Sequence, residues 1–213
     1  MNGPASPKAS RRIAPSKAET DLLEPFVGLG LAQILVPRTA AEFAAASDEI
    51  LAAGVAGFDT EARPTFRPGE VSDGPHIVQF ALPSRAFIFQ LRHEASQEAL
   101  RHLLQSTAVL KVGFGLQSDH GQIHAKLGIQ IAAVLDLNTI FRKQGYNSSM
   151  GVRAAVGVVL GQNFHKSKKI TTSNWAMPQL SERQLLYAAN DAYAALKVLE
   201  ALPPQQLPRL PLS

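Results

Sequence analysis

A chain of 213 residues and 22.9 kDa, 46% hydrophobic and 18% charged, is long enough for one domain with a substantial apolar core. It has no cysteine, which excludes disulfides, thiolate metal sites and a cysteine nucleophile and fits a reducing compartment. No apolar run approaches the roughly 18 residues of a membrane span and no signal-peptide core opens the chain, so the expectation is an intracellular protein, cytoplasmic by default, without a membrane partner.

The net charge of +4 is local. Lys8, Arg11, Arg12 and Lys17 stand in residues 1–18 without an acid, and the remaining chain sets 17 basic against 17 acidic side chains. Residues 1–18, otherwise rich in Pro, Ser and Ala, are expected to form a disordered basic arm, solvated or in weak contact with a polyanion. A transit peptide shares that charge bias but needs an amphipathic apolar face, which the segment lacks.

From residue 19 the pattern is that of a folded domain running to about 202. Residues 19–30 read as a short helix stopped by glycine, 32–37 as a strand stopped by Pro37, and 39–54 as a helix with Thr39 as N-cap and Gly54 as stop. Strands follow at 55–61, 76–82 and 86–91, the last two joined through Pro83-Ser84-Arg85 as a hairpin. A helix at 94–105, a strand at 108–114, a helix at 116–127 and a strand at 132–136 come next. Helices at 137–144, 151–160 and 181–202 complete the domain, and a Pro-rich tail fills 203–213. A hairpin followed by strands interleaved with helices predicts an α/β domain with a mixed sheet. Between Leu137 and Leu180 there is no acid, while Arg142, Lys143, Arg153, Lys166, Lys168 and Lys169 fall there, a candidate surface for polyanions.

The stretch GFDTEARP (57–64) places Asp59 and Glu61 on one face of a strand, with backbones roughly 6 to 7 Å apart. Like charges so placed repel, and they fit either a solvated strand end or a site where hard Mg²⁺ or Mn²⁺ cancels the repulsion. Further acids on the same side decide between these. Asp119, in KVGFGLQSDHGQI, stands in the first turns of a helix just past a strand, where the helix dipole favours it. Asp191 lies in the middle of an apolar, Ala-rich helix, with Tyr187 four residues earlier on the same helix face.

Asp-x-Glu after a strand, an Asp inside VGFGLQSD, and Tyr-x-x-x-Asp within SNWAMPQLSERQLLYAANDAY together resemble the three motifs of the DEDD superfamily of 3′-5′ exonucleases, in its tyrosine-bearing subfamily. Within that group the chain is most similar to ribonuclease D and the Werner-type exonuclease domain, over about residues 20–202. The resemblance implies a ribonuclease H-like fold, a five-stranded mixed sheet flanked by helices with the acids at one end. It implies that Asp59, Glu61, Asp119 and Asp191 hold two divalent ions, Mg²⁺ or Mn²⁺, and that Tyr187 holds the attacking water. The reaction would remove nucleoside 5′-monophosphates from a free 3′ end of DNA or RNA; oligomeric state is left open. Four carboxylates crowded without metal are costly, so electrostatics alone calls for cations there.

Other residues carry competing readings. Phe58 and Thr60 are candidates for the terminal nucleotide, with burial an equal explanation of Phe58. Lys166, Lys168 and Lys169, beside His165, are candidates for the nucleic-acid backbone, and Arg63 and Arg67 stand near enough to the first motif to meet phosphate or solvent. Trp175 is expected to pack under the last helix, and Asp136 to cap the helix after it. His120 and His124 share a helix face without a third zinc ligand. Two other classes stay in view. Gly113-x-Gly115 with Asp136 imitates a dinucleotide-binding βαβ unit, but leaves Asp59, Glu61 and Asp191 without a role. A nuclease-fold binding or scaffold protein without turnover is the other, and the intact motif residues argue against it.

Overall fold

The computed structural model describes residues 12–65, 69–146 and 150–207. In chain order the elements are α1 (Lys17–Thr20), β1 (Glu24–Pro25), β2 (Ile34–Leu35), α2 (Ala40–Ala53), β3 (Val55–Glu61), β4 (Ile77–Ala81), β5 (Ala86–Gln90) and α3 (Glu94–Gln105). They continue with β6 (Leu110–Gly113), α4 (Gln117–Leu127), β7 (Val134–Asp136), α5 (Asn138–Lys143), α6 (Val152–Leu160), β8 (Gln162–Asn163), α7 (Lys168–Thr171) and α8 (Glu182–Ala201).

The main sheet runs β2-β5-β4-β3-β6-β7, with β3-β4 and β4-β5 antiparallel and β3-β6, β6-β7 and β2-β5 parallel. It holds the five strands implied by the resemblance plus the two-residue edge strand β2. One face packs on α2, α3 and α4 through Phe43, Ile50, Phe58, Phe80, Phe89, Leu100 and Ile123. The other packs on α8, which reaches β3, β4 and β5 through Ala188, Ala189, Ala192 and Leu196, with α5 and α6 beyond it. The result is a three-layer α/β/α domain, the mixed architecture expected.

Local chemistry explains the boundaries. Thr39 and Glu42 form a reciprocal capping box at the start of α2, and Gly54 closes it at φ 70°. Ser181 and Gln184 form the same box on α8, and Gln184 Nε2 also donates to Ser173 Oγ and Asn174 O at 3.0 and 3.2 Å, tying that helix to the preceding loop. Lys111, inside the apolar strand β6, is fully buried, donates to Ser106 O at 2.7 Å and closes the C-terminus of α3; burial lowers its pKa to about 8.

The helix expected over 19–30 is replaced by one turn, α1, and the short strand β1 paired in parallel with β8. Pro25 has no N–H for a helix and disfavours the helical region for Glu24, whereas a two-residue edge strand tolerates it. Of the arm expected over 1–18, the part from Arg12 lies against the domain. Arg12 N donates to Gly145 O at 3.0 Å, its guanidinium stands 5.9 Å from the Tyr146 ring centre, and Ser16 caps α1. Residues 1–11 lie outside the described residues, as do 208–213 of the expected tail. Ahead of them Leu207 packs on the core and Gln206 Oε1 accepts from Gln144.

Candidate active site

Strands β3 and β6 are parallel, so their C-terminal ends meet at one edge of the sheet, and β4 starts there opposite Glu61. Strand alternation sends Gly57, Asp59 and Glu61 to the α8 face. At Gly57 a Cβ would stand 1.9 Å from Ala192 O, so the absence of a side chain is what lets α8 lie directly on the strand. Asp191, the residue before Ala192, thereby comes beside Asp59. One carboxylate oxygen from each of Asp59, Glu61 and Asp191 lies within 4.8 Å of the others, the one such group among the described residues.

Phe58 and Thr60 point to the opposite face. Phe58 is completely buried against Phe80, ring centres 5.6 Å apart, and gives no surface to the site, so its side chain is excluded as a nucleotide contact. The Thr60 hydroxyl donates a short hydrogen bond to Asp119 Oδ1, and Ser118 Oγ donates to Asp119 Oδ2 at 3.4 Å. Asp119 thus approaches the strand end from the α4 side. It lines the same cavity of about 500 Å³ as Asp59 and Glu61 but is outside the group of three.

α4 is aimed there by Asp136, whose Oδ1 accepts from Gly115 N and Asn138 N at 3.1 and 2.9 Å and whose Oδ2 accepts from Leu116 N at 3.2 Å. Its carboxylate fills the amide nest that a pyrophosphate would need, which removes the dinucleotide reading. Asp136 accepts from Asn138 N at the start of α5, but Leu137 and not Asp136 is the N-cap there, and the hold on α4 is a second role that spacing did not reveal.

The electrostatics are those of crowded acids. Burial, then the charges of Asp191 and Asp119, hold the Asp59 carboxyl well above its usual range. Glu61 is pushed up to about 9 by burial and then Asp59. Burial also raises Asp119, against the hydrogen bonds from Thr60 and Ser118, and Asp191, against Lys166 and Tyr187. Both Asp191 oxygens are buried and accept no well-directed hydrogen bond; their counter-charge is Lys166 Nζ, 2.7 Å from Oδ2 and 5.5 Å from the Tyr187 ring centre. Burial works against the Lys166 charge, but Asp191, Tyr187 and Asp59 outweigh it and hold its pKa above the ordinary value.

Tyr187 lines the cavity with its hydroxyl 2.8 Å from Thr171 Oγ1, and burial followed by Asp191 raises its pKa, so it keeps its proton. Trp175, 1% exposed, packs 6.0 Å from the Tyr187 ring and donates to Thr171 O at 3.1 Å, the packing expected of it. Thr171 is the partner that sequence reading missed, since nothing in Ile170-Thr171-Thr172 marks one threonine over the other. Lys168 and Lys169 are exposed on α7, Arg63 pairs with Asp73 at 3.3 Å, and Arg67 lies outside the described residues. His124 Nδ1 faces Ile129 O at 3.3 Å.

An all-carboxylate donor set with buried, crowded oxygens is suited to hard divalent cations. Fold and site together define a class: ribonuclease H-like α/β domains that gather acids at the C-terminal edge of their central strands. More narrowly, the chain belongs to the 3′-5′ exonuclease family, whose model matches residues 35–206. A 3′-5′ exonuclease of Arabidopsis thaliana is 32% identical over 152 residues, 69% of this chain and 53% of that protein. The mouse bifunctional 3′-5′ exonuclease/ATP-dependent helicase WRN is 29% identical over 150 residues, 70% of this chain and 11% of that protein. The chain therefore spans about half the length of the first relative and about a tenth of the second. Among solved structures, the Aedes aegypti Nibbler EXO domain is 22% identical with a TM-score of 0.70, covering 84% of this chain and 90% of that one. Trypanosoma brucei RNase D is 20% identical with a TM-score of 0.72, covering 84% and 66%. At these identities the structural likeness shows the fold.

Proposed function

We propose that the protein is a metal-dependent 3′-5′ exonuclease that hydrolyses phosphodiester bonds from the free 3′ end of DNA or RNA and releases nucleoside 5′-monophosphates. The observation that carries this reading is the group of Asp59, Glu61 and Asp191 within 4.8 Å, with both oxygens of Asp191 buried and Lys166 Nζ, 2.7 Å from Oδ2, as counter-charge. These three, joined by Asp119 once its bond from Thr60 yields, are the residues that would hold Mg²⁺ or Mn²⁺, two ions per site. Bound there, the ions would supply Lewis acidity, easing deprotonation of a water and offsetting the charge that develops on the departing 3′ oxygen.

The chain's own groups do the rest. Tyr187, protonated and anchored by Thr171, offers its hydroxyl to orient the attacking water. Lys166 shares the Asp191 charge before cations enter and would meet the substrate phosphate afterwards, a role supported by its place in the lining of the same cavity. Lys168 and Lys169 remain candidates for the strand's backbone, and Thr60 for the terminal nucleotide through its main chain.

Product analysis tests this reading. A 5′-labelled single-stranded oligonucleotide incubated with the protein and Mg²⁺ or Mn²⁺ is expected to shorten one nucleotide at a time and yield 5′-monophosphates, and EDTA is expected to stop it. Retained binding without any shortening would leave a nuclease-fold binding protein instead.

A further inference from the structure

A second cavity, of about 480 Å³, shares Tyr187 as a lining residue with the acidic cavity. Its walls come from β1, β8, α7 and α8. Among the described residues no Asp or Glu lines it, whereas His165, Lys169 and Arg183 do, and Phe26 and Phe164, with ring centres 5.4 Å apart, form an apolar wall. The volume lies in the range that takes a nucleotide-sized group. Outside residues 1–18 the chain is charge-balanced, so basic groups gathered around one acid-free concavity mark where a polyanion is drawn in. The neighbouring cavity is lined instead by the acids Asp59, Glu61 and Asp119.

We propose that this cavity holds the substrate strand on the 5′ side of the scissile phosphate, with phosphate at Lys169 and Arg183 and a base against the Phe26–Phe164 wall. The inference rests on the exonuclease reading for its polarity, but its binding test does not require turnover. Tyr187 then stands as the partition between the nucleotide being removed and the strand behind it.

The test compares a dinucleotide, too short to reach across the partition, with a hexanucleotide. Affinity is read by fluorescence anisotropy in EDTA, and KM and kcat are read with Mg²⁺. The wild type is expected to bind the hexanucleotide more tightly. The double variant Lys169→Glu/Arg183→Glu is expected to lose roughly tenfold in hexanucleotide affinity per side chain, and to flatten the salt dependence by about one unit of slope for each cation taken from a phosphate. KM for the hexanucleotide should rise toward that for the dinucleotide. Lys169→Gln/Arg183→Gln, expected to act in the same direction by less, serves where charge reversal harms folding, which thermal melting reports.

Lys197→Glu, on α8 beside Glu200 and outside both cavities, controls for net charge. An equal loss in Lys197→Glu, or unchanged hexanucleotide affinity in both double variants, would overturn the proposal. If the wild type cleaves nothing, the exonuclease reading falls, while a loss of anisotropy confined to the cavity variants would still support the cavity as the strand-binding site.

Discussion

Asp191 makes the most demanding request of its surroundings: a carboxylate in the middle of an apolar helix, both oxygens buried, with one lysine for counter-charge. Because Asp59, Glu61, Asp119 and Asp191 are all raised above their unfolded values, Glu61 to about 9, the metal-free folded protein binds more protons than the unfolded chain across that interval. Stability from these groups is full below about pH 4 and is lost as pH rises toward 9. Melting scans in EDTA should therefore show Tm falling from pH 5 to pH 8.5, with Mn²⁺ raising Tm far more at the upper end; a metal-free Tm that climbs over this range would be the opposite result. Lys166→Met should lower the metal-free Tm at pH 8 and enlarge the Mn²⁺-induced rise, since it removes the cation that offsets Asp191. Tyr187→Phe keeps the packing on Trp175 and deletes only the hydroxyl with its bond to Thr171, so kcat should drop by about ten- to a hundredfold while stability falls by no more than about 1.5 kcal/mol. An unaltered kcat would remove the tyrosine from water orientation.

Among elements, the contact of α8 with β3 sets the site. Gly57→Val would force the helix off the strand, costing about 1–3 kcal/mol of stability, and an ångström-scale displacement of Asp191 should cost about a hundredfold in kcat. Denaturant unfolding and steady-state kinetics check the two effects separately. This contact also shows what was legible in the sequence. The capped helices α2 and α8, the hairpin β4-β5 and the motif acids could be read from local chemistry, because caps, turns and alternation act over a few residues. The role of Gly57 could not, since it depends on a helix that arrives more than a hundred residues later. The hold of Asp136 on α4 depends in the same way on β6 and β7 lying side by side. Over residues 19–30 the apolar spacing suggests a helix, but Pro25 overrides it.

Across the described residues, charge separates into an acidic cavity and an acid-free one that share a tyrosine, Tyr187. Nucleic-acid binding in EDTA should accordingly weaken as salt rises, and salt-independent binding would exclude the basic cavity as the binding surface. In the exonuclease reading the acidic cavity is the part on which catalysis would depend. Its most direct test is titration of the purified protein with Mn²⁺, followed calorimetrically at pH 8, for the wild type, Asp59→Asn and Asp191→Asn. Saturable binding by the wild type, approaching two ions and sharply weakened in both variants, is expected. No saturable binding, or binding that the two variants leave intact, would contradict the convergence of these acids on a shared metal site.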